Sequence, residues 1–183
     1  MMGIRKARSE PNGMTLVELL SVIVMIGILC AIAVPGILGS IHRTGVDGAS
    51  RRLTEDIRLA QSNAITKGMQ TRLIVFDQSG VVPDPGNLND PAKANKYRIE
   101  MRSGPLAPWP SVNDYPGANS NVLTVWQDLG SQYRGVAVTQ GSAILFNSQG
   151  FLMNALAPVN TVLQGPGGSK TVQTTAIGKA TVL

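Results

Sequence analysis

Residues 13–41 read GMTLVELLSVIVMIGILCAIAVPGILGSI, and this stretch decides the fold. From Leu19 to Ile41 the sequence is almost entirely apolar over about 23 residues, whereas a helix that spans a bilayer needs about 20. The run is too long for the hydrophobic region of a secretory signal, which has about 7–15 residues. We therefore predict a membrane-spanning helix near the N-terminus.

The segment before the apolar run has the composition of a cytoplasmic leader. Three basic residues and one acidic residue give residues 1–13 a side-chain charge of +2. The small residue Gly13 precedes the apolar run, so cleavage after it would remove the basic segment and leave the membrane helix on the protein. Because basic residues favour the cytoplasmic side, we expect the chain beyond the helix to lie across the membrane.

Glu18 is the only charge between Glu10 and His42. A carboxylate deep in lipid costs about 2.5–3.5 kcal/mol, so such a residue normally has a function. Cleavage after Gly13 would make Met14 the new N-terminus, four residues before Glu18. Its ammonium group, on the same helix or on a neighbouring subunit, would attract the carboxylate by about 4 kcal/mol at an effective dielectric of about 20. We interpret Glu18 as an assembly residue; the alternative is a carboxylate that snorkels at the membrane edge.

Residues 13–20, GMTLVELL, and the apolar run after them resemble the class III signal of type IV prepilins and pseudopilins. In that family a prepilin peptidase cuts after the glycine and methylates the new N-terminal residue, which the resemblance places at Gly13 and Met14. The glutamate, here Glu18, pairs with the N-terminus of an adjacent subunit. Phenylalanine is the usual first mature residue, and Met14 departs from it. The implied partners are other pilins in a homo- or hetero-filament, the prepilin peptidase and the inner-membrane assembly platform.

A second, amphipathic part of the helix is predicted over residues 42–68. Apolar residues recur there at spacings of three and four, which places them on one helical face. Gly68, which follows Lys67, predicts the C-terminal end. The predicted buried face comprises Val46, Ala49, Leu53, Ile57, Ala60 and Ala64, and the opposite face carries Arg51, Arg52, Glu55, Arg58 and Lys67.

Pro35 and Gly36 predict a kink in the long helix. Proline removes an amide donor and clashes with the carbonyl of Ala31. Three more glycines follow by residue 48, and each costs up to about 1 kcal/mol relative to alanine. The segment is either an ordinary proline kink near the membrane exit or a stretch that melts on packing into a filament, as related filaments show.

The rest of the chain predicts a β-rich head, residues 69–183. With the leader (1–13), the membrane and assembly helix (14–41) and the amphipathic helix (42–68), it gives an α+β pilin fold in which a long helix packs on an antiparallel sheet. Turn-rich stretches lie at 83–91, 103–121 and 164–169. The predicted strands are Thr71–Asp77, Lys96–Arg102, Val122–Gln127, Val136–Thr139, Ala143–Asn147 and Thr171–Ile177, and the predicted inward residues are Leu73, Val75, Ile99, Met101, Val125 and Leu145.

Three passages resemble GspH/FimT-type proteins. Residues 58–65, RLAQSNAI, lead into the first strand as in that group, although an Ala-Arg pair usually stands where Ala60-Gln61 stand here. Residues 144–150, ILFNSQG, resemble its phenylalanine-to-glycine hairpin. Residues 172–183, which contain Gly178-Lys179, resemble its closing strand pair.

The sequence contains no catalytic set, and we expect neither enzymatic activity nor a cofactor. The only histidine, His42, stands at the predicted membrane exit, where it is expected to face headgroups or solvent rather than activate a serine. Cys30, the only cysteine, excludes an intramolecular disulfide. An oxygen-rich loop from Asp84 to Asp90 is a calcium candidate, but its spacing does not match an EF-hand and such clusters are usually plain turns.

DNA binding is an alternative function. Some FimT-like pilins take up DNA through a basic C-terminal motif of glycine, arginine, any residue, arginine; residues 178–181 here read GKAT and lack both arginines. Of the net charge of +5, the leader supplies +2 and the mature chain keeps +3, which is modest for a nucleic-acid partner. The candidate DNA contacts are Arg72, Arg134, Lys170 and Lys179, for which a solvated face is the simpler interpretation.

The sequence thus predicts a structural subunit, a minor pilin or pseudopilin of a type IV pilus or a type II secretion pseudopilus. We expect it in the inner membrane with its head in the periplasm before assembly, and in the filament afterwards. The alternatives are a FimT-like DNA-binding pilin, a major pilus shaft subunit and a plain single-pass membrane protein. Gly13 and Glu18 argue against the last of these.

Overall fold

The computed structural model describes residues 15–83, 87–154 and 158–183, and for residues 34–43 it describes the backbone only. The chain divides into two compact units, Met1–Leu38 and Gly39–Leu183. A long helix followed by antiparallel strands makes up the described chain, which confirms the predicted α+β class.

The helix α1 runs from Leu16 to Lys67. Thr15 caps its start, because the Thr15 Oγ1 accepts a hydrogen bond from the Glu18 N–H at 3.3 Å. Its end is the one predicted: Gly68 adopts a φ of +63°, and the Met69 N–H donates to the Ala64 carbonyl at 3.2 Å. A left-handed residue after the last turn is the common way to end a helix, and glycine adopts it without steric cost.

Within the second compact unit, one face of α1 forms the core with both sheets. All six residues of the predicted buried face are buried, and the charged residues predicted on the opposite face are exposed. Their partners are aliphatic strand residues such as Leu73, Ile99, Ile144, Leu163 and Val172. Burial at about 25 cal/mol per Å² of apolar surface is the main force that holds α1 to the strands.

The first sheet consists of β1 (Gln70–Val75), β4 (Lys96–Arg102), β5 (Gln127–Asp128) and β7 (Ser142–Phe146). Its strand order is β5-β4-β1-β7, and every pairing in it is antiparallel. Thr71, Leu73 and Val75 face α1, since the Thr71 hydroxyl donates to the Ala60 carbonyl at 2.8 Å and the other two join the core. The alternate residues form the outer face, which a long outer loop, residues 103–126, covers.

The second sheet has the order β10-β9-β8-β6 and is also antiparallel. Its strands are β6 (Ala137–Gln140), β8 (Val159–Gly165), β9 (Gly168–Thr174) and β10 (Ala180–Val182). Smaller elements are the two-stranded β2 (Val81–Val82) with β3 (Leu88–Asn89), a 3₁₀ turn Pro91–Lys93 and the helical turn α2 (Leu129–Gln132).

Two strand predictions were wrong in position. The stretch Val122–Gln127 belongs mainly to the outer loop: it makes one bridge to Glu100, and Val125 is 59% exposed rather than buried. The predicted strand Thr171–Ile177 lies earlier in the chain as β9, because a turn at 175–178 leads into β10. Leu145 is half-buried on the outer face, since the register puts Ile144 opposite Leu73 in the core. β8 was not predicted.

Candidate functional site

The first part of α1 presents an apolar surface of membrane length. Over Leu16–Ala33 every side chain is exposed and none is buried inside the protein. Glu18 is the only charged residue of this stretch. Such a surface is unfavourable in water, at about 25 cal/mol per Å², so it is suited to an apolar environment. The prediction of a helix long and apolar enough to cross a membrane is met by this segment.

The start of α1 positions Glu18. Its N–H is bonded to the Thr15 hydroxyl, and its carbonyl accepts from the Ser21 hydroxyl at 2.8 Å. A carboxylate in the first turn is favoured by the partial positive charge of a helix N-terminus. Glu18 is exposed, with no ion pair among the described residues. Its carboxylate is thus open to a cation from outside the described chain.

Several predicted site residues lie beyond what the structure describes. Gly13 and Met14, the predicted cleavage and methylation site, are outside the described residues. The backbone is helical through Pro35 and Gly36, but their side chains are not described, and the predicted kink stays a prediction. The same holds for the side chain of His42, the lone histidine.

The three GspH/FimT-like passages meet at the side chain of Gln61 on α1. The Gln61 amide donates to the Gly150 carbonyl at 2.9 Å and to the Ile177 carbonyl at 3.1 Å. A Cβ on Gly178 would lie 2.2 Å from the Gln61 amide nitrogen, and a Cβ on Gly150 would lie 2.7 Å from Ile65. Both glycines also have φ near +80°. Gln61 therefore joins α1 to the hairpin after β7 and to the turn before β10.

A buried ionic cluster holds the outer loop on the first sheet, and the sequence analysis did not find it. Arg98 and Glu100 are fully buried on the outer face of β4 and form an ion pair. Arg98 also donates to the carbonyls of Ser111 and Asp114, both at 2.6 Å. The Trp126 indole lies 4.3 Å from the Arg98 guanidinium. The alternation of apolar Ile99 and Met101 with these charged residues was visible in the sequence, but alternation alone predicts solvent on the charged face.

Arg72 belongs to the same cluster, which corrects its assignment as a DNA contact. Its Nε lies 2.7 Å from a Glu100 oxygen, and its guanidinium lies 4.5 Å from the centre of the Trp109 ring. Only 7% of Arg72 is exposed. Burial lowers the pKa of Arg72, and the Glu100 carboxylate opposes that shift. The Arg72 guanidinium is thus paired with Glu100 inside the protein, where it is not accessible to a phosphate backbone.

The other three candidate DNA contacts do not form one patch. Arg134 and Lys179 are exposed, whereas Lys170 is half-buried with its Nζ 3.6 Å from an Asp47 oxygen. Lys170 lies near the start of β9, and Lys179 follows the turn at its far end, about 17 Å further along the strand. The geometry does not favour a continuous phosphate-binding track.

The calcium candidate loop is described only in part. Asp84 lies outside the described residues, and the Asp90 carboxylate accepts from the Ala92 N–H at 3.0 Å as a cap of the 3₁₀ turn. Among the described residues, no group of three or more His, Cys, Asp or Glu is placed to hold a metal ion. Asp90 therefore has a turn-forming contact of the ordinary kind.

A comparison with known protein families identifies the family of this chain. The family model described as "Type II transport protein GspH" matches residues 49–178, well over half of the chain. The chain belongs to the GspH family. The matched range covers most of the buried part of α1 and the strands up to the turn before β10, including Gln61, Gly150 and Gly178. The resemblance to type IV pilins and pseudopilins of the GspH type is thereby confirmed.

Solved structures are also similar to this GspH-family chain. The minor pseudopilin EpsH from the type 2 secretion system of Vibrio cholerae is 12% identical, with a TM-score of 0.46, over 75% of this chain and 95% of that one. The type IV minor pilin FimU of Pseudomonas aeruginosa is 15% identical, with a TM-score of 0.44, over 77% and 90%. No curated protein sequence matches the chain.

Proposed function

We propose that this GspH-family chain is a minor pilin or pseudopilin that is assembled into a type II secretion pseudopilus or a type IV pilus through the first part of α1. The observation that carries the proposal is the apolar surface of Leu16–Ala33, which is wholly exposed and bears a single carboxylate. Membership of the GspH family implies assembly with other pilins or pseudopilins. Lipid would cover the surface before assembly, and the helices of neighbouring subunits would cover it in the filament.

In this proposal the carboxylate of Glu18 is kept for a neighbour. A prepilin peptidase cuts after Gly13 and methylates Met14, and the new N-terminal ammonium of one subunit binds Glu18 of the next. The cap formed by Thr15 fixes the first turn that presents the carboxylate. At an effective dielectric of about 20 the pair contributes about 4 kcal/mol, enough to offset the cost of placing the carboxylate in an apolar bundle. Before assembly the β-rich head lies in the periplasm.

The cleavage assignment predicts an effect of a bulky residue at Gly13. Gly13→Trp fills the small-residue position before the scissile bond, so we expect the full-length chain to accumulate in the membrane. The measurement is gel mobility with N-terminal sequencing of the purified protein. Ser9→Trp, four residues earlier in the leader, is the matched control and should mature normally. A Gly13→Trp protein that begins at Met14 would contradict the assignment.

The assembly role predicts a different defect at Glu18. Glu18→Ala removes a charge that is costly in lipid, so the variant should still be inserted in the membrane and cleaved. Because it lacks the carboxylate that pairs with a neighbour, it should be depleted at least about tenfold in sheared filaments. Immunoblots of membrane and sheared fractions measure both quantities. Lys67→Ala, which removes one exposed charge from the later part of α1, is the matched control for loss of one charge. Normal filament incorporation of Glu18→Ala would refute the pairing.

A further inference from the structure

A groove of about 270 Å³ lies between α1 and β10. Its helix wall carries two arginines and one glutamate, and its other wall is the last described strand of the chain. The lining residues are Arg51, Thr54, Glu55 and Arg58 on α1, and Ala180, Thr181 and Val182 on β10. The groove contains no residue of the apolar surface Leu16–Ala33 and no residue of the buried ionic cluster on the first sheet.

The strand wall presents a free sheet edge. β10 is the end strand of the second sheet and pairs only with β9. The Leu183 N–H donates to the Thr171 carbonyl at 2.8 Å, and the Lys179 carbonyl accepts from the Thr175 N–H at 3.0 Å. Because hydrogen-bonded pairs alternate along an antiparallel ladder, the main-chain N–H and C=O groups of Ala180 and Val182 point away from β9. Across the described residues no other group bonds to them.

The helix wall is positively charged. Arg51 and Arg58 are seven residues apart, so they lie on the same side of α1, about 10.5 Å from each other. Glu55 lies between them at spacings that normally allow ion pairs. None of the ion pairs found in the described part of the chain includes these three residues. Two guanidinium groups are therefore available at the rim of the groove.

We propose that this groove binds an extended acidic segment of a neighbouring filament subunit, which adds a strand to β10 and places carboxylates against Arg51 and Arg58. An unpaired strand edge offers main-chain hydrogen bonds to a polypeptide in extended conformation. Guanidinium groups bind carboxylates with two parallel hydrogen bonds. Glu55 between the arginines would repel a uniformly charged phosphate backbone, whereas a peptide can present a neutral residue there. The inference rests on the proposed function as a filament subunit.

The test is photo-crosslinking in cells that assemble the filament. Benzoylphenylalanine is placed at Thr181 in the groove or, as a control position, at the exposed Ser148 of the hairpin after β7. Filaments are sheared, irradiated and analysed by mass spectrometry. We expect Thr181 to crosslink to a pilin-type subunit within a segment that carries Asp or Glu, and Ser148 not to reach that segment.

Two variants of the full chain separate recognition from folding. Arg51→Glu with Arg58→Glu should lower the Thr181 crosslink by at least about tenfold, and basic residues in the crosslinked segment of the partner should restore it. Lys67→Glu, on the same helix outside the groove, is the charge control. Val182→Pro removes an outward N–H but no bond to β9, so it should lower the crosslink. Val182→Ala also loses the packing of Val182 on the core but keeps that N–H, so it is the matched control and should crosslink normally.

The outcomes distinguish the two proposals. If the chain is present in sheared filaments but Thr181 gives no protein crosslink, gives nucleic acid, or crosslinks equally in the charge-reversed variant, the groove inference is overturned and the filament role stands. If the chain is absent from filaments that contain the other subunits, the proposed function fails and the inference fails with it. A crosslink restored by charge exchange in the partner confirms the inference.

Discussion

Tyr97 makes a buried polar contact between the first sheet and α1 that the apolar pattern of the sequence does not predict. Its hydroxyl donates to the Asp56 carboxylate of α1 at 2.6 Å, and Asp56 also pairs with Arg52 at 3.1 Å. Burial, reinforced by the hydrogen bond and the negative charge of Asp56, raises the pKa of Tyr97. Sequence patterning predicted the helical face that carries Val46 to Ala64. It does not reveal a polar contact between residues 41 positions apart, because such a contact depends on the tertiary register.

The raised pKa of Tyr97 predicts a loss of stability in alkali. The unfolded phenol ionises near pH 10, while the folded one keeps its proton, so this contribution is complete below about pH 10 and declines as the pH rises above it. Tyr97→Phe should cost about 1–3 kcal/mol at pH 7, because Asp56 loses its donor. That difference from wild type should shrink between pH 9 and 11. Chemical denaturation of the full chain in detergent, repeated across this pH range, measures the stability difference and its pH dependence. Tyr115→Phe is the control, because Tyr115 is 65% exposed. A pH-independent difference would contradict the argument.

The elements differ in how far they follow from the sequence. β4 lies at its predicted bounds, because alternating large residues flanked by turn residues are a strong strand pattern. β8 was missed, although Thr161 and Leu163 alternate inward within it, because apolar and polar residues mix without clear contrast. Residues 103–121 were predicted only as a turn-rich stretch, yet Arg98 and Trp126 hold the outer loop on the first sheet. A buried arginine that bonds carbonyls has no local sequence signal.

The outer loop should depend on Arg98 more than on any surface arginine. Arg98→Met leaves the loop carbonyls of Ser111 and Asp114 without their donor and leaves Glu100 with one partner, so we expect a loss of about 3–5 kcal/mol. Thermal unfolding with limited proteolysis measures it, and new cleavage sites should lie within residues 103–126. Arg102 is only partly buried, and its guanidinium lies 4.6 Å from the centre of the Trp109 ring. Arg102→Met is the matched control and should lower the stability by about 1 kcal/mol or less. Equal effects of the two variants would show that the loop is held by packing alone.

At the scale of the whole molecule, the surface proposed for assembly and the folded core lie in different parts of the chain. The apolar residues Leu16–Ala33 are exposed, so they contribute nothing to the protein's own core. Val46 and Ala49, only a few turns further along α1, are buried in it. Hydropathy separated these two parts because one run is apolar all round and the other on one face only. Hydropathy does not predict the boundary between the two compact units, at Leu38 and Gly39, because that boundary depends on tertiary contacts.

This separation predicts which truncations keep a folded protein. A chain that starts at Gly39 retains the whole second compact unit and should be soluble, with cooperative thermal unfolding and a strand-rich circular dichroism spectrum. A chain that starts at Ser50 loses the burial of Val46 and Ala49, the Val46 contact with Gly165 and the ion pair of Asp47 with Lys170. We expect it to be less stable by about 2–4 kcal/mol, mostly from the lost apolar burial. Denaturant titrations of the two chains, compared at equal concentration, measure the difference. Equal stability of the two chains would mean that the turns of α1 between Gly39 and Ala49 do not stabilise the core.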